Sequence, residues 1–467
     1  MSDKHKLGRE FEAALRKFAH ELISEDDYFV LSHHDADGIT SCAVIVDLLK
    51  SLGKSVHYSC MKQIDSATVK QIRKHQDKTL ILTDFGSGHH SLLEEHGVKD
   101  YYVIDHHPPE REYPRQINPH YFGYSGGSDV SGAGMAYLVA KSRGRTDMAH
   151  IAIVGAVGDM QDSKGALESI NRIILEDAVA NGTIKIENDI RMFGRQSRTL
   201  TQMLAYSSEP IIPGVTGSQK TAAQFLESIG IPLKVGTEWR SYVDLSREER
   251  ETLTTALYIK LLDYNTPEFI IHGMFGEVYT LAKEQHKTEL ADAKEYATVL
   301  NACGRQEQPN IGVAVCLGER GDKWHKARSL LEKHRRLLAE GLEYLEDSGV
   351  TELTNLSYFD AGGKIKESII GVIAGMAYGA RIIPTNKPIL AFAQDSNDEN
   401  YLKVSSRATW ALVRAGIHLG QAMTECSKKL GGEGGGHNIA AGARIPKDQK
   451  ETFIECINRM FGQQTAK

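Results

Sequence analysis

Residues 31–40 read LSHHDADGIT. Two histidines and two aspartates fall within five residues, directly before Gly38. They follow the run YFVLS at 28–32, which reads as a strand. The stretch from Ile39 to Leu52 has a helical pattern and ends at Gly53. Strand, charged turn and helix together form the opening of an α/β unit. In an extended segment, residues two apart point the same way. His33, Asp35 and Asp37 are therefore expected to face one side, with His34 and Ala36 on the other. Gly38 permits a sharp entry into the helix.

The same pattern recurs. TLILTD at 79–84 and YYVIDHH at 101–107 are short apolar runs that end in acids or imidazoles, as buried parallel strands do. SVHYSCM at 55–61 reads as another strand, and VKQIRKH as a short helix. GAGMAYLVAKS at 132–142 and MAHIAIVGAVGDM at 148–160 are helical in pattern. Phe11, Leu15, Phe18 and Leu22 recur at helical spacing over 9–24. Strands alternating with helices predict an N-terminal α/β domain with a parallel sheet covered on both faces. In such a sheet, polar ligands gather at the carboxyl ends of the strands. Separate segments thus bring His33, Asp35, Asp37, Asp84, Asp105, His106, His107 and Asp159 to one edge.

Clustered carboxylates repel one another unless a cation resolves the conflict. Mixed Asp and His donors suit Mn²⁺, Zn²⁺, Fe²⁺ or Co²⁺ better than an all-oxygen site would. Six candidate metal ligands (His33, Asp35, Asp37, Asp84, His106 and Asp159) are too many for one ion and match two. An acid shared by both would hold them roughly 3.5–4 Å apart, an arrangement for phosphoester hydrolysis. Asp105 is expected to orient an imidazole. His107 is expected to contact a substrate phosphate or to assist proton transfer to the leaving group. Asp37, Asp84, Asp105 and His107 form the candidate catalytic set.

Polar content rises from Ile184 to Arg198, and Pro210, Pro213, Gly214 and Gly217 punctuate the segment that follows. Residues 219–300 read as mostly helical. NIGVAVCLG at 310–318 reads as a strand, followed by a long charged helix near 321–347. LTNLSYFDAGG, KPILAFAQD and YLKVSSRAT then alternate with a helix around 366–380. The expected division is a catalytic domain over 1–200, a connecting and helical insertion over 201–305, and a smaller α/β domain over 306–467. In the last, KLGGEGGGHNIAAGARIP at 429–446 offers the amides of Gly434, Gly435 and Gly436, followed by His437, to an anion. NIAAGA is expected to open the next element with its N-terminus near that anion. A flexible hinge is the other reading. Ser405 and Arg407 lie two apart on a strand, and arginine suits bidentate phosphate contact. These residues are expected to bind substrate, with the active site in a cleft between the two α/β domains. Arg191, Arg195 and Arg198 are candidates for lining a nucleic-acid path, or are ordinary solvated surface.

The 55 basic and 61 acidic residues give a net charge of −6. This argues against coating nucleic acid through a global positive field, and leaves room for a local basic groove. The six cysteines are scattered without a CxxC pair and are expected as free buried thiols. The N-terminal stretch has no apolar signal core. SIIGVIAGMAYGA at 368–380 is too short to span a bilayer. A cytoplasmic protein with no membrane partner is expected.

HHDADG, the acid of LTDFG, DHH and GAVGDM, in that order, resemble the four motifs of DHH-type phosphoesterases. VSSRA and GGEGGGHNIAAGA resemble the associated DHHA1 domain. Over nearly the whole chain, the pattern is most similar to the archaeal RecJ-like branch that includes the GINS-associated nuclease. FGRQSRTLTQMLAYSSEPIIPGVTG at 193–217 also resembles that branch. The resemblance implies two Mn²⁺ ions, with Mg²⁺, Co²⁺ or Zn²⁺ as substitutes. His33 and Asp35 would belong mostly to one ion, Asp37, His106 and Asp159 to the other, and Asp84 would bridge. His107 would stand near the scissile phosphate, and Arg407 and His437 would bind the nucleotide. The implied activity is manganese-dependent exonuclease action on single-stranded DNA or RNA, in replication or repair. The alternatives are a phosphodiesterase for short oligonucleotides or cyclic dinucleotides, and a replisome scaffold with secondary nuclease activity. GINS and the replicative helicase assembly are the implied partners, docking through the insertion. The additional C-terminal domains of bacterial RecJ, including an OB-fold, are not expected after the glycine-rich element.

Overall fold

The computed structural model describes residues 7–65, 68–207, 210–380 and 382–465. The first six residues of the N-terminal stretch read above, and the pair at 208–209 in the connecting segment, lie outside these. The chain forms two compact units, residues 1–332 and 333–467.

The first unit begins with α1 (Arg9–Leu22), which buries Phe11, Leu15, Phe18 and Leu22 as their spacing predicts. Then come β1 (Asp27–His33), α2 (Ala36–Ser51), β2 (Ser55–Met61), β3 (Thr79–Thr83), β4 (Tyr101–Ile104) and β5 (Gln116–Ile117). The five strands form an all-parallel sheet in the order β2-β1-β3-β4-β5. The connections diverge between β1 and β3, the topological switch point at which open α/β sheets bind ligands. One face packs under α2, α3 (Gly132–Lys141) and α4 (Ala149–Gly158). These helices are apolar nearly all round because they are covered on all sides. The other face has a smaller core of Phe29, Leu31, Leu80, Leu82 and Val103.

The polar stretch after residue 184 is not simply a connection. It holds β6 (Ile184–Ile190), an antiparallel partner of β7 (Phe275–Leu281), with Ile184 opposite Leu281. Four of the seven β6 residues are exposed, so a two-stranded ribbon shows no apolar alternation in sequence. Between the two strands lie α5 (Leu200–Ala205), α6 (Gln219–Ser228) and α7 (Arg247–Asp263). They share a separate core built on Met203, Leu226, Leu253, Leu257 and Leu261.

The chain then returns to the first core through α8 (Ala293–Arg305) and α9 (Pro309–Cys316). The strand expected at 310–318 is therefore a helix. Pro309 occupies its first turn, where a missing N–H costs nothing. Gly312 lets α9 approach Ile39 and Leu300 closely. A short apolar run that is buried over most of its length does not separate helix from strand by periodicity. The second unit, expected from residue 306, begins at 333, because α8, α9 and the start of α10 (Asp322–Ser348) are buried in the first core.

The second unit holds β8 (Thr351–Glu352), β9 (Ser357–Asp360), α11 (Glu367–Gly379), β10 (Ile389–Gln394) and β11 (Tyr401–Arg407). These are followed by α12 (Leu419–Lys429), β12 (Glu433–Gly436), β13 (Ala440–Pro446) and α13 (Lys450–Thr465). The strands form a mixed sheet in the order β8-β9-β10-β11-β13-β12. Ile389, Ala391 and Ala393 pack toward α11, whereas Leu390 and Phe392 join the core under α12 and α13. This is the period of two expected of a strand buried on both faces.

The glycine-rich stretch is an edge strand, neither a hinge nor the lead-in to a helix. NIAAGA leads into β13. A Cβ on Gly434 would stand 2.6 Å from the Met423 carbonyl oxygen and 2.7 Å from Ser427 Oγ. The glycines therefore admit α12 at backbone distance. Cys426 and Cys456 are not free thiols: a disulfide joins α12 to α13. Their separation of 30 residues hides this proximity from a sequence reading. Cys42, Cys60, Cys303 and Cys316 are free, as expected. Among the described residues, no helix is long and apolar enough to cross a membrane.

Candidate metal centre

The centre is built at the carboxyl ends of β1, β3 and β4, with additions from α2 and α4. His33 ends β1. Asp35 remains extended and caps α2, its Oδ1 accepting from Gly38 N at 3.0 Å. Asp37 is already helical. The expected alternation thus holds from His33 to Asp35, and the first turn of α2 supplies Asp37. A Cβ on Gly38 would lie 2.2 Å from the His33 carbonyl oxygen, so this turn requires glycine.

Asp84 follows β3 with φ 60°, an uncommon conformation for a residue other than glycine. It is 2% exposed. Its Oδ2 lies 3.7 Å from His33 Nδ1, and its Oδ1 lies 3.2 Å from His106 Nε2. One carboxylate therefore faces two sets of donors. His33, Asp35 and Asp84 form the first set; Asp37, His106 and Asp159 form the second. In each set the ligand atoms lie within 4.8 Å of one another.

The imidazole of His106 is held from behind. Its Nδ1 is 2.6 Å from the Gly126 carbonyl oxygen, to which it donates, leaving Nε2 directed at the acids. Asp37 accepts from the amides of Gly132 at 2.7 Å and Ala133 at 2.9 Å, at the N-terminus of α3. Asp159 is the C-cap of α4, where the helix dipole favours a cation rather than an acid. Asp105 is fully buried and accepts from Ser87 N, His106 N and His107 N. It also holds His107 Nδ1 at 2.8 Å. His107 is half exposed, with a side-chain exposure of 52%.

The charge balance within the centre favours a cation. Burial and the neighbouring Asp84 push the Asp37 carboxyl well above its ordinary range. Burial, with Asp84 adding to it, raises Asp159. Burial disfavours the charged imidazoles of His33 and His106, yet the surrounding carboxylates hold both well above their usual values. Asp35 is lowered against the effect of burial by the His33 charge. Asp84 Oδ1 is buried, and among the described residues His106 Nε2, at 3.2 Å, is an imidazole nitrogen facing it. Raised carboxyls and raised imidazoles together mark a cluster with an excess of negative charge. Divalent cations fit the same donors, since mixed imidazole and carboxylate sites are the ordinary ligand set of such ions.

Several supporting residues carried no signal in the sequence reading. A Cβ on Gly132 would lie 2.4 Å from Asp84 Oδ1, and one on Gly155 would lie 2.7 Å from Asp37 Oδ1. Gln161 Nε2 donates to Asp159 Oδ2 and to the Gly126 oxygen, both at 2.8 Å. Asn118 Nδ2 donates to the His107 carbonyl oxygen at 2.9 Å. Asn301 Oδ1 accepts from Ala36 N at 3.0 Å, fixing the ligand loop from α8. Only Gln161, two residues after Asp159, lay close enough in sequence to draw attention.

Arg191 is paired with Asp162, and Arg195 is 3% exposed and paired with Asp189, so both serve the fold. Arg198 stacks over Phe193 and Tyr206. In the second unit, Ser405 and Arg407 share a face of β11 above Gly371 of α11, where a Cβ would lie 2.6 Å from Arg407 Nη2. Ser405, Gly442 and Gly435 lie in register across three adjacent strands. Gly434 and Gly436 belong to the same edge strand, and His437 follows it, exposed.

Residues 27–157 match the N-terminal domain of the DHH family, 192–275 the DHH-CID domain, and 358–463 the DHHA1 domain. An uncharacterized protein of Methanocaldococcus jannaschii is 27% identical over 467 residues, covering 98% of both chains. The structure resembles RecJ of Thermus thermophilus, solved with Mn²⁺, with a TM-score of 0.59 and 16% identity. That match covers 98% of this chain and 55% of that one, so the chain spans about half of that RecJ. It also resembles CDC45 of Entamoeba histolytica, with a TM-score of 0.62 and 14% identity, covering 97% of this chain and 98% of that one. The chain thus carries a DHH-family N-terminal domain, a DHH-CID domain and a DHHA1 domain, in that order, in a fold similar to those of RecJ and CDC45.

Proposed function

We propose that this chain is a manganese-dependent exonuclease that hydrolyses phosphodiester bonds of single-stranded DNA or RNA. The observation that carries this reading is the single Asp84 carboxylate facing His33 on one side and His106 on the other. Two ligand sets sharing one acid suit in-line displacement at phosphorus. His33 and Asp35 would hold one ion, Asp37, His106 and Asp159 the other, and Asp84 both. Two Mn²⁺ ions, or Mg²⁺, Co²⁺ or Zn²⁺ in their place, would supply positive charge to the phosphoryl oxygens and lower the pKa of a water.

The chain's own residues do the rest. Asp105 orients His107, and its charge raises that imidazole to about 9 against the effect of burial. With Nδ1 held by Asp105, Nε2 of His107 is positioned to donate to a non-bridging phosphate oxygen or to the leaving oxygen. Ser405, Arg407, Gly434, Gly435, Gly436 and His437 are proposed to grip the nucleotide. The DHH-CID region, with its own core and with Tyr258, Ile259 and Leu262 exposed on α7, is proposed to dock GINS and the replicative helicase assembly.

The test is product analysis on matched single-stranded DNA and RNA, labelled at either end, with Mn²⁺. Progressive release of mononucleotides from one end is expected, and Asp37→Ala is expected to reduce it by at least about 10³-fold. An unaffected Asp37→Ala protein would refute the assigned centre. Cleavage confined to dinucleotides or very short oligomers would replace long strands with short oligonucleotides or cyclic dinucleotides as the substrate.

A further inference from the structure

The chain has three tryptophans, and they differ in what covers the ring. Trp324 is nearly buried and belongs to the first core. Trp239 is exposed, but the Lys234 ammonium lies 4.2 Å from its ring centre. Trp410 is 44% exposed, and among the described residues its ring has no aromatic or cationic partner. Among the described residues of the second unit, it alone of the large hydrophobic side chains is exposed. Trp410 thus forgoes much of the burial by which an aromatic side chain stabilises a fold.

Its setting is defined within the second unit. Trp410 follows β11 and opens the short helix Trp410–Arg414, which Thr409 caps by accepting from Leu412 N at 3.3 Å. Leu412 joins the core under α12 and α13. Successive helical residues turn by about 100°, so Trp410 lies on the far side of this helix from Leu412. Arg414, four residues on, shares the face of Trp410. From Tyr401 to Thr424 the chain holds Lys403, Arg407 and Arg414 and neither Asp nor Glu. The turn of His437, Asn438 and Ile439 has no acid either. The fold joins these two segments: Ala408 N donates to the Ile439 carbonyl oxygen at 3.0 Å, and Arg407 lies opposite Ala440 across β11 and β13. Three residues of chain separate Trp410 from Arg407, a span of at most about 11 Å between their backbones. One nucleotide, with its phosphate at one end and its base at the other, bridges such a span.

We infer that Trp410 is a stacking platform for one nucleobase of a single strand, set beside Arg407 and His437. The inference rests on the exonuclease reading and deepens it, because it names a residue that tells a nucleotide from a bare phosphate. An aromatic ring beside a basic segment is how sequence-tolerant single-strand binders hold bases. Every base has a π-face, so the platform accepts any of the four.

The experiment uses the full chain without divalent ions, so that no cleavage occurs. Two oligomers about 12 nucleotides long, each with fluorescein at mid-chain, are compared by anisotropy. One is an oligothymidylate; the other is the same sugar-phosphate backbone without bases. W410A is expected to bind the oligothymidylate at least about fivefold more weakly than wild type, and the abasic oligomer equally well. W410F, which keeps a ring, should stay within about twofold of wild type on both. The control W239A, at the other exposed tryptophan, should match wild type. All four proteins should melt at the same temperature. The deficit of W410A should be the same at about 50 and 200 mM salt, because stacking releases no counterions. W410A that binds the oligothymidylate as wild type does overturns the inference and leaves the exonuclease reading intact. Equal weakening on both oligomers, or a lowered melting temperature in W410F as well as W410A, assigns Trp410 to the fold and also overturns it. Wild type that binds neither oligomer overturns the inference; if it also cleaves no single strand with Mn²⁺, the exonuclease reading falls with it.

Discussion

Asp84 is the residue on which the centre turns, and its position depends on an absence. Its carboxylate enters the site because Gly132 has no Cβ there to meet Oδ1. Gly132→Ala is expected to displace Asp84 and reduce Mn²⁺-dependent hydrolysis at least about 100-fold, since misplacing a reacting group by about 1 Å costs that much. Near-native circular dichroism with lost turnover would bear this out; unchanged turnover would show that Asp84 is free to relocate. A second prediction concerns His107 in the metal-free chain. Its pKa is raised to about 9, so its pairing with Asp105 stabilises the fold fully below its unfolded value of roughly 6.5. That contribution fades as pH rises through about 9. Asp105, lowered in the fold, is ionised throughout this window. The melting-temperature deficit of Asp105→Asn should thus be greatest near pH 6 and shrink toward pH 9.5. A deficit that grows with pH would refute the pairing. The clustering of candidate ligands is legible in sequence because these residue types are costly to bury and most of them follow an apolar run. The glycines that make room for them are not, because a Cβ clash depends on what lies opposite in space.

At the scale of elements, legibility followed how each element is buried. The parallel strands β1, β3 and β4 were readable because each is short, apolar and closed by a polar residue. β6 was not, since a ribbon mostly open to solvent has no apolar alternation to display. The run that forms α9 reads as a strand because its five buried apolar and small residues look alike in either conformation. In sequence the glycines of β12 suit anion-binding amides or a hinge; the fold places them in an edge strand, where Gly434 also admits α12 at close range. Gly434→Val tests that use. The added side chain would meet the Met423 carbonyl and Ser427 Oγ, pushing α12 from the sheet. Overpacking of this kind costs about 1–3 kcal/mol. The expected result is a lower melting temperature for the second unit, read by calorimetry, with Mn²⁺ affinity of the first unit unchanged. A variant as stable as wild type would return these glycines to a purely ligand-binding role.

At the scale of the whole molecule, two compact units carry two separate stabilising devices. The candidate metal ligands lie wholly within residues 33–159, beside the core under α2, α3 and α4. The disulfide lies wholly within the second unit and closes a 30-residue separation between α12 and α13. A cross-link of that span is worth about 3–4 kcal/mol on the loop-entropy account. A ligand at 100 times its Kd adds about 2.7 kcal/mol to the unit that binds it. Units with separate cores are expected to unfold as separate transitions. Saturating Mn²⁺ should therefore raise one calorimetric transition and leave the other in place, while reductant or Cys456→Ser should lower only the second. Asp37→Ala should abolish the Mn²⁺ shift without altering the response to reductant. A single transition moved by both treatments would mean that the units are thermodynamically one. Removing the disulfide would then weaken Mn²⁺ binding as well.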